Sequence, residues 1–188
     1  PDMRRGYLVS GYGGMMYPAK SFDSGAARLS QALRYAAVLN DASAQPGVAG
    51  SFGWCMTDYN VHPAYGSGDR VSYQGVMDLF RNPKLAAAVF ASQKSPRVPS
   101  DIVLEVSPAA AFGDMPAGHP GGCWAFTNAD AVRMYRDGDL IAVFTPDRQG
   151  RFAALAHPPI QIDAFVGPLL EKYQGIAHGA AVPLAACQ

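Results

Sequence analysis

The sequence carries little charge and no excess of either sign. Fifteen Lys and Arg residues balance fifteen Asp and Glu residues among 188, and charged residues make up only 16% of the chain. A surface that binds phosphate backbones is marked by basic residues clustered with aromatic ones, and this sequence has no such cluster. We therefore expect no nucleic-acid partner.

Long apolar runs are also missing. The run at residues 85–91 is far shorter than the roughly 20 residues that a helix needs to cross a bilayer, so we expect no membrane partner. Hydrophobic residues make up 49% of the chain, which is enough to build a core. A chain of this length holds one large domain or two modest ones.

Cysteine is scarce, and neither it nor histidine is spaced like a set of metal ligands. The chain has an odd number of cysteines, Cys55, Cys123 and Cys187, and we interpret all three as reduced thiols. The glycine-rich stretch at residues 66–68 has neither a P-loop ending nor a GxGxxG frame. We expect no metal and no cofactor. Reduced thiols favour a reducing compartment, but secreted proteins can also lack disulfides, so cytoplasmic and periplasmic locations both stay open.

The chain starts without a recognisable beginning. Residues 1–5 contain neither an initiator Met nor the apolar stretch of a signal peptide. We expect the chain to start inside a longer protein, whose remaining part is then its first partner. The sequence leaves open whether the protein is also a homo-oligomer.

The chain opens with a strand, loop and helix unit. A short apolar run at residues 7–10 stops at Gly11, which predicts a buried strand ending in a flexible loop. Helical periodicity follows, with Asp23 placed to cap the helix and a turn at residues 45–47 to end it.

The pattern then repeats. An apolar run at residues 48–56 predicts a second strand, a polar loop covers residues 58–70, and helical segments are predicted at residues 73–80 and 83–93. Two such units in succession predict parallel strands joined by right-handed crossovers. In a closed barrel of such units, functional groups lie at the carboxyl ends of the strands.

The character of the sequence changes at a polar, proline-rich linker at residues 94–100. Beyond it, residues 102–106 are a strand candidate, and residues 132–135 and 140–144 flank the hairpin turn Asp137-Gly138. We place a domain boundary at the linker and predict an antiparallel β-sandwich after it.

Four stretches of the chain carry a family resemblance. GSFGWCMTDYNVH at residues 50–62, GSGDR at 66–70 and YQGVMDLFR at 73–81 resemble the last barrel strand and helix of glycoside hydrolase family 2 of the β-galactosidase type. FTNADAVRMY at residues 126–135 is similar to the immunoglobulin-like domain that follows the barrel.

The resemblance implies an α/β part followed by an all-β part. Residues 1–94 are expected to form the last two strand-helix units of a TIM (β/α)₈ barrel, and residues 95–188 an incomplete immunoglobulin-like β-sandwich. Two units of eight leave the barrel open with an exposed strand edge. We therefore expect this chain by itself to be inactive.

The resemblance also implies two catalytic carboxylates, because the family is retaining. The nucleophile Glu normally follows Val-Ser at the end of the seventh strand, and the matching residue here is Gly11. Glycine cannot form a glycosyl ester. The acid/base Glu is expected upstream of Pro1, and the first glutamate in the chain is Glu105.

Three explanations of Gly11 stay open. It is an engineered replacement of the kind used to make a glycosynthase, or a natural feature of a non-hydrolysing relative, or the match is out of register. A local reading is that Gly11 supplies a positive φ at a strand-to-loop turn, which glycine does readily.

Four other residues are candidates for binding a sugar. Trp54 ends the second predicted strand, and an indole face packs against the apolar side of a pyranose, although it can equally be a core aromatic. Asp58 can accept hydrogen bonds from hydroxyls, or it can be a structural carboxylate paired with Arg70 or a turn cap. Asn60 and His62 lie in the same loop, where such residues also satisfy turn backbone. Asp69 and Arg70 are expected to pair with each other.

The function expected from these residues is that of a retaining β-glycosidase, a β-galactosidase, which hydrolyses terminal β-linked sugars. With Gly11 in place the chain represents a nucleophile-less or fragmentary form. The alternative is a non-catalytic carbohydrate-binding or scaffold module. In both cases the partner is a carbohydrate.

Overall fold

A computed structural model describes residues 5–13, 19–64, 68–107, 122–136 and 138–163. Cys187, the glycine-rich stretch at residues 66–67 and the end of the predicted sandwich lie outside these ranges. The elements in chain order are β1 (Tyr7–Ser10), α1 (Gly25–Ala44), β2 (Val48–Phe52), β3 (Tyr59–Asn60), β4 (Val71–Ser72), α2 (Leu85–Ala91), β5 (Leu104–Val106), β6 (Cys123–Thr127), β7 (Val132–Arg136), β8 (Asp139–Phe144) and β9 (Ile160–Ile162). The fold is mixed α/β, and the described residues contain no closed barrel.

The first strand-helix-strand unit has the predicted form. Strands β1 and β2 pair in parallel, and Ser10 lies opposite Phe52 at the end of the pair. Helix α1, which joins them, is capped by Ser24, whose hydroxyl accepts from the Ala27 amide at 3.3 Å. The prediction that Asp23 caps the helix is wrong, because its carboxylate instead accepts from the Lys20 amide at 2.8 Å.

The predicted helix at residues 73–80 is absent. The backbone of this segment bonds to residues 55–58: the Val76 amide donates to the Cys55 carbonyl at 3.0 Å and the Met77 amide to Met56 at 2.9 Å. These amides are not available for helical bonds, since they complete the pairing of an extended segment. Of the apolar side chains in this segment, Val76 packs against the buried core, whereas Leu79 and Phe80 are exposed.

The second half of the chain is built from antiparallel strands. Strands β5, β6 and β9 form a three-stranded sheet in the order β5-β6-β9. The predicted hairpin is confirmed, because β7 and β8 pair in antiparallel fashion. Asp137 lies outside the described residues, while Gly138 has φ +89°, a left-handed conformation that glycine adopts without strain.

Two apolar clusters form the core. The larger one joins α1 and α2 to side chains from the second half, and the smaller one lies on the other side of the β5-β6-β9 sheet. The larger cluster is Leu29, Ala32, Tyr35, Ala36, Leu85, Ala86, Ala88, Val89, Phe126, Phe152 and Leu155. In the described ranges, no helix has the length and apolar character to cross a membrane.

Two amide side chains join the helical and the antiparallel parts. The Gln93 side chain donates to the His157 carbonyl at 2.9 Å and accepts from the His157 amide at 3.2 Å. Asn128 donates to the carbonyls of Lys94 and Asp101 and accepts from the Val103 amide at 2.8 Å. Both polar atoms of the Asn128 amide thus bond to backbone groups at the start of the linker and directly after it. The division into two domains at residues 94–95 stays a prediction.

Gly75 should be intolerant of any side chain, which gives the first test of the fold. A Cβ at this position would overlap the backbone of Thr57 and Asp58, neither of which can move as a flexible side chain would. We expect Gly75→Ala to lower the free energy of unfolding by about 2–3 kcal/mol, the cost of overpacking a tight contact. Urea denaturation measures the loss.

Gly50→Ala is the matched control for that substitution. A Cβ on Gly50 would meet only Leu8 Cδ1 at 3.4 Å, an ordinary contact. Its unfolding free energy should change by less than about 1 kcal/mol. Equal effects of the two substitutions would show that the close approach of residues 57–58 and 75 is wrong.

Candidate functional site

The loops that follow β1 and β2 meet at the carboxyl ends of these strands. The Trp54 amide donates to the Tyr12 carbonyl at 2.6 Å, so the two loops are joined by a backbone hydrogen bond directly after the strands end. The Tyr12 hydroxyl lies 3.3 Å from the Ser51 hydroxyl on β2. The structure therefore brings the loop of Gly11 and the loop of Trp54 together.

Gly11 has a backbone conformation typical of glycine. Its φ is +123°, and a Cβ added there would meet no atom within 4 Å. The position has room for a larger side chain, but an L-residue rarely adopts this φ. A glutamate at residue 11 therefore requires a change of the backbone conformation. Its Cβ would not displace neighbouring atoms.

The Trp54 indole is half exposed and is held by a second aromatic ring. Its Nε1 donates to the Tyr59 hydroxyl at 3.4 Å, and the two rings meet edge to face with centroids 6.3 Å apart. About half of the Trp54 surface, 51%, remains open to solvent. The indole is thus fixed in position and accessible to a ligand.

Tyr35 of α1 lies behind both loops and fixes them. Its hydroxyl donates to the Trp54 carbonyl at 2.5 Å and also lies 3.2 Å from the Gln74 carbonyl. Gly13 and Gly53 press directly on its ring, where a Cβ would clash. Burial raises the pKa of Tyr35, so the hydroxyl stays protonated and keeps donating.

Asp58 is buried in an ion pair with Lys84. The Asp58 carboxylate lies 2.7 Å from Lys84 Nζ and accepts from the Gly75 amide at 2.9 Å. Burial raises the pKa of the Asp58 carboxyl, and the hydrogen bonds from Lys84 and Gly75 oppose that rise. The alternative prediction that Asp58 pairs with Arg70 is wrong. The Asp58 side chain is 2% exposed, and its contacts with Lys84 and Gly75 hold the loop. A contact between Asp58 and a sugar stays a prediction.

Asn60 and His62 lie on the exposed loop beyond Trp54. Asn60 ends β3, where it pairs with Val71 of β4. His62 Nδ1 accepts from the Ala64 amide at 3.2 Å, which is the local turn role weighed as its alternative. The predicted pairing of Asp69 with Arg70 is wrong, because Asp69 lies 3.7 Å from Lys20 Nζ.

Three residues that organise the site were not predicted from the sequence. Lys84 stands alone before an apolar helix, and a charge next to a buried segment is a signal for a buried partner. Tyr35 carries a hydroxyl on the apolar face of α1, where a partner is also needed. Tyr59 gave no signal, because only the turn after β2 brings it beside Trp54.

No known protein-family model matches the chain. Among curated proteins it is similar to the β-galactosidase of Thermoanaerobacterium thermosulfurigenes, with 38% identity over 158 residues, which cover 84% of this chain and 22% of that protein. It is also similar to the β-galactosidase of Thermoanaerobacter pseudethanolicus, with 34% identity over 155 residues, which cover 82% of this chain and 20% of that protein. The chain spans about a fifth of the length of these relatives.

The fold is similar to part of a solved β-glucuronidase from Parabacteroides merdae. The two superpose with a TM-score of 0.55 and 17% sequence identity, over 79% of this chain and 20% of that one. At this identity the likeness concerns the fold alone.

Removing the charge of Lys84 should strongly destabilise the protein. Lys84→Met leaves the Asp58 carboxylate buried without its cation, and we expect a loss of about 3–5 kcal/mol in the free energy of unfolding. The double variant Lys84→Met with Asp58→Asn should recover part of this loss, because it removes the uncompensated charge. Both are measured by urea denaturation.

Lys94 and Asp101 supply the control pair, since their atoms lie 3.8 Å apart and the Lys94 side chain is exposed. Lys94→Met should cost less than about 1 kcal/mol. A Lys84→Met variant as stable as Lys94→Met would contradict the structural role of the buried pair.

Proposed function

Because the chain carries a segment of a family 2 glycoside hydrolase, we propose that it forms part of the sugar-binding site of a retaining β-glycosidase of the β-galactosidase type. The observation that carries the proposal is the 38% identity to a β-galactosidase over 84% of the chain. In this proposal residues 1–94 supply the last two strand-helix units of a (β/α)₈ barrel, and residues 95–188 an immunoglobulin-like sandwich. The parallel pair β1-β2, joined through α1, supports the first assignment.

The proposed chemistry places Gly11 where the nucleophile of a retaining glycosidase stands. In such an enzyme a carboxylate attacks the anomeric carbon while an acid protonates the leaving oxygen, and water then cleaves the glycosyl ester. Gly11 has no carboxylate, so this chain binds the sugar without forming the ester. The acid/base residue comes from another part of the longer protein.

Trp54 is the proposed platform for the sugar ring. Its position directly after β2, its exposure and its fixed orientation against Tyr59 support this role. The apolar CH face of a pyranose packs on an aromatic surface of this kind. Asn60 and His62 are proposed to contact the sugar from the rim of the loop, and Asp58 to hold that loop in place.

A non-catalytic carbohydrate-binding module is the second candidate. The φ of +123° at Gly11 favours it, because the backbone there is adapted to glycine and not to a glutamate. The two candidates share the Trp54 platform and differ in whether a carboxylate at residue 11 produces hydrolysis.

Gly11→Glu in the full-length protein should produce hydrolysis of aryl β-galactosides. A carboxylate at this position supplies the nucleophile, and loss of a nucleophile commonly changes the rate by several orders of magnitude. The Cβ has open space around it, so the expected cost is the change of φ alone. The rate of aryl release at saturating substrate measures the effect.

Gly11→Gln is the matched control, because it has the same size and the same backbone requirement without a nucleophile. It should stay inactive. Added azide should raise its rate no more than it raises the rate of the glycine form, because the Gln side chain leaves a smaller cavity for the anion. A folded Gly11→Glu protein no faster than Gly11→Gln would refute the nucleophile position and leave the non-catalytic module as the function.

Trp54→Ala should weaken sugar binding in the full-length protein. Stacking of a planar base on an aromatic side chain contributes about 1–3 kcal/mol, and we expect a similar contribution from a pyranose on Trp54. The dissociation constant for a β-galactoside should therefore rise by roughly 5- to 150-fold. Calorimetric titration gives the dissociation constants of the parent protein and of the variant. Phe80→Ala serves as control, because Phe80 is exposed on a turn outside the strand-end loops and should not alter the affinity.

A further inference from the structure

A polar and aromatic cavity lies in the antiparallel half of the chain. Its volume is about 420 Å³, within the roughly 300–1,000 Å³ range of small-molecule sites. It contains none of the residues of the strand-end loops. The residues that matter here are Trp124, Asp147, Arg151, Phe152, Gln161 and Asp163.

The alternation of strand side chains forms one wall of this cavity. In β9 the buried residues Ile160 and Ile162 enter the smaller apolar cluster, so Gln161 and then Asp163 face the opposite side. Gln161 lies directly opposite Trp124 of β6 in the antiparallel register. Cross-strand neighbours share a face of the sheet, so an indole, an amide and a carboxylate line the same wall.

The turn at residues 147–152 supplies further lining residues of the cavity. The Asp147 carboxylate accepts from the Gln149 amide at 2.9 Å, which fixes the turn. Phe152 meets Trp124 edge to face with ring centroids 5.8 Å apart, and the Arg151 guanidinium lies 5.0 Å from the Phe152 centroid. The cation and the two rings therefore have defined places in the cavity.

We propose that this cavity binds a neutral saccharide, as a second carbohydrate site distinct from the strand-end loops. Asp147 and Asp163 accept hydrogen bonds, Arg151 donates them, and Gln161 does both. Each sugar hydroxyl is at once a donor and an acceptor, so it fits such a mixed set. Trp124 offers an apolar surface to the ring carbons. The charged side chains of the lining, two carboxylates and one guanidinium, leave a net negative charge, which disfavours an anion. The mixed set of donors and acceptors beside an indole matches the hydroxyl groups and the CH face of a neutral sugar.

The test uses the 188-residue chain with Trp54→Ala, which removes the first platform. The sequence contains two tryptophans, so Trp124 is then the one remaining indole. Titration with lactose should change its fluorescence in a saturable way. Gln161→Ala and Asp163→Asn, added singly, should each raise the dissociation constant by about tenfold, as expected for the loss of one or two hydrogen bonds.

Glu105→Gln is the control, because Glu105 is an exposed residue of the same sheet outside the cavity. It should leave the lactose affinity unchanged. Far-ultraviolet circular dichroism confirms that each variant is folded. The proposal is overturned by the absence of a saturable signal, or by lactose binding that Gln161→Ala and Asp163→Asn leave intact. Neither result bears on Gly11, so the proposed glycosidase function is tested separately.

Discussion

Lys84 and Asp58 form an ion pair whose side chains are 1% and 2% exposed, and most of the first half of the chain is organised around it. Burying two charges is costly unless their remaining hydrogen-bonding groups are also satisfied. All three protons of the Lys84 ammonium have acceptors, namely the Asp58 carboxylate and the carbonyls of Ala19 and Tyr73. The pair thus joins the segment before α1, the loop after β2, the segment after β4 and the start of α2.

The candidate sugar site depends on this frame. Asp58 holds the loop that carries Trp54, while Tyr35 reaches from α1 to bond the Trp54 carbonyl. The indole is therefore fixed by contacts on its backbone and on its edge, and its remaining surface is available for packing against a ligand. Gly11 completes the same edge without a side chain, so the proposed site has an aromatic surface but no carboxylate at this position.

Local patterns predicted the regular elements well and the irregular segments poorly. The apolar run at residues 7–10 and the hairpin signal at residues 137–138 depend on neighbours in sequence, and the structure has β1 and the β7-β8 hairpin there. Residues 73–80 have helical spacing but bond to residues 55–58 instead. Whether this segment is helical or extended is decided by backbone groups that are distant in sequence. The periodicity of neighbouring residues carries no information about those groups.

The sequence by itself determined the two strand-helix signals, the change to antiparallel strands and the absence of a glutamate before Glu105. It also placed Gly11 and Trp54 at strand ends, because a strand and its following loop are local features. Only the tertiary structure decided that Asp58 faces Lys84 and not Arg70, and that Tyr59 holds Trp54. Partners separated by many residues are selected by packing and burial, since a charge or an indole pairs with whatever the fold brings within reach.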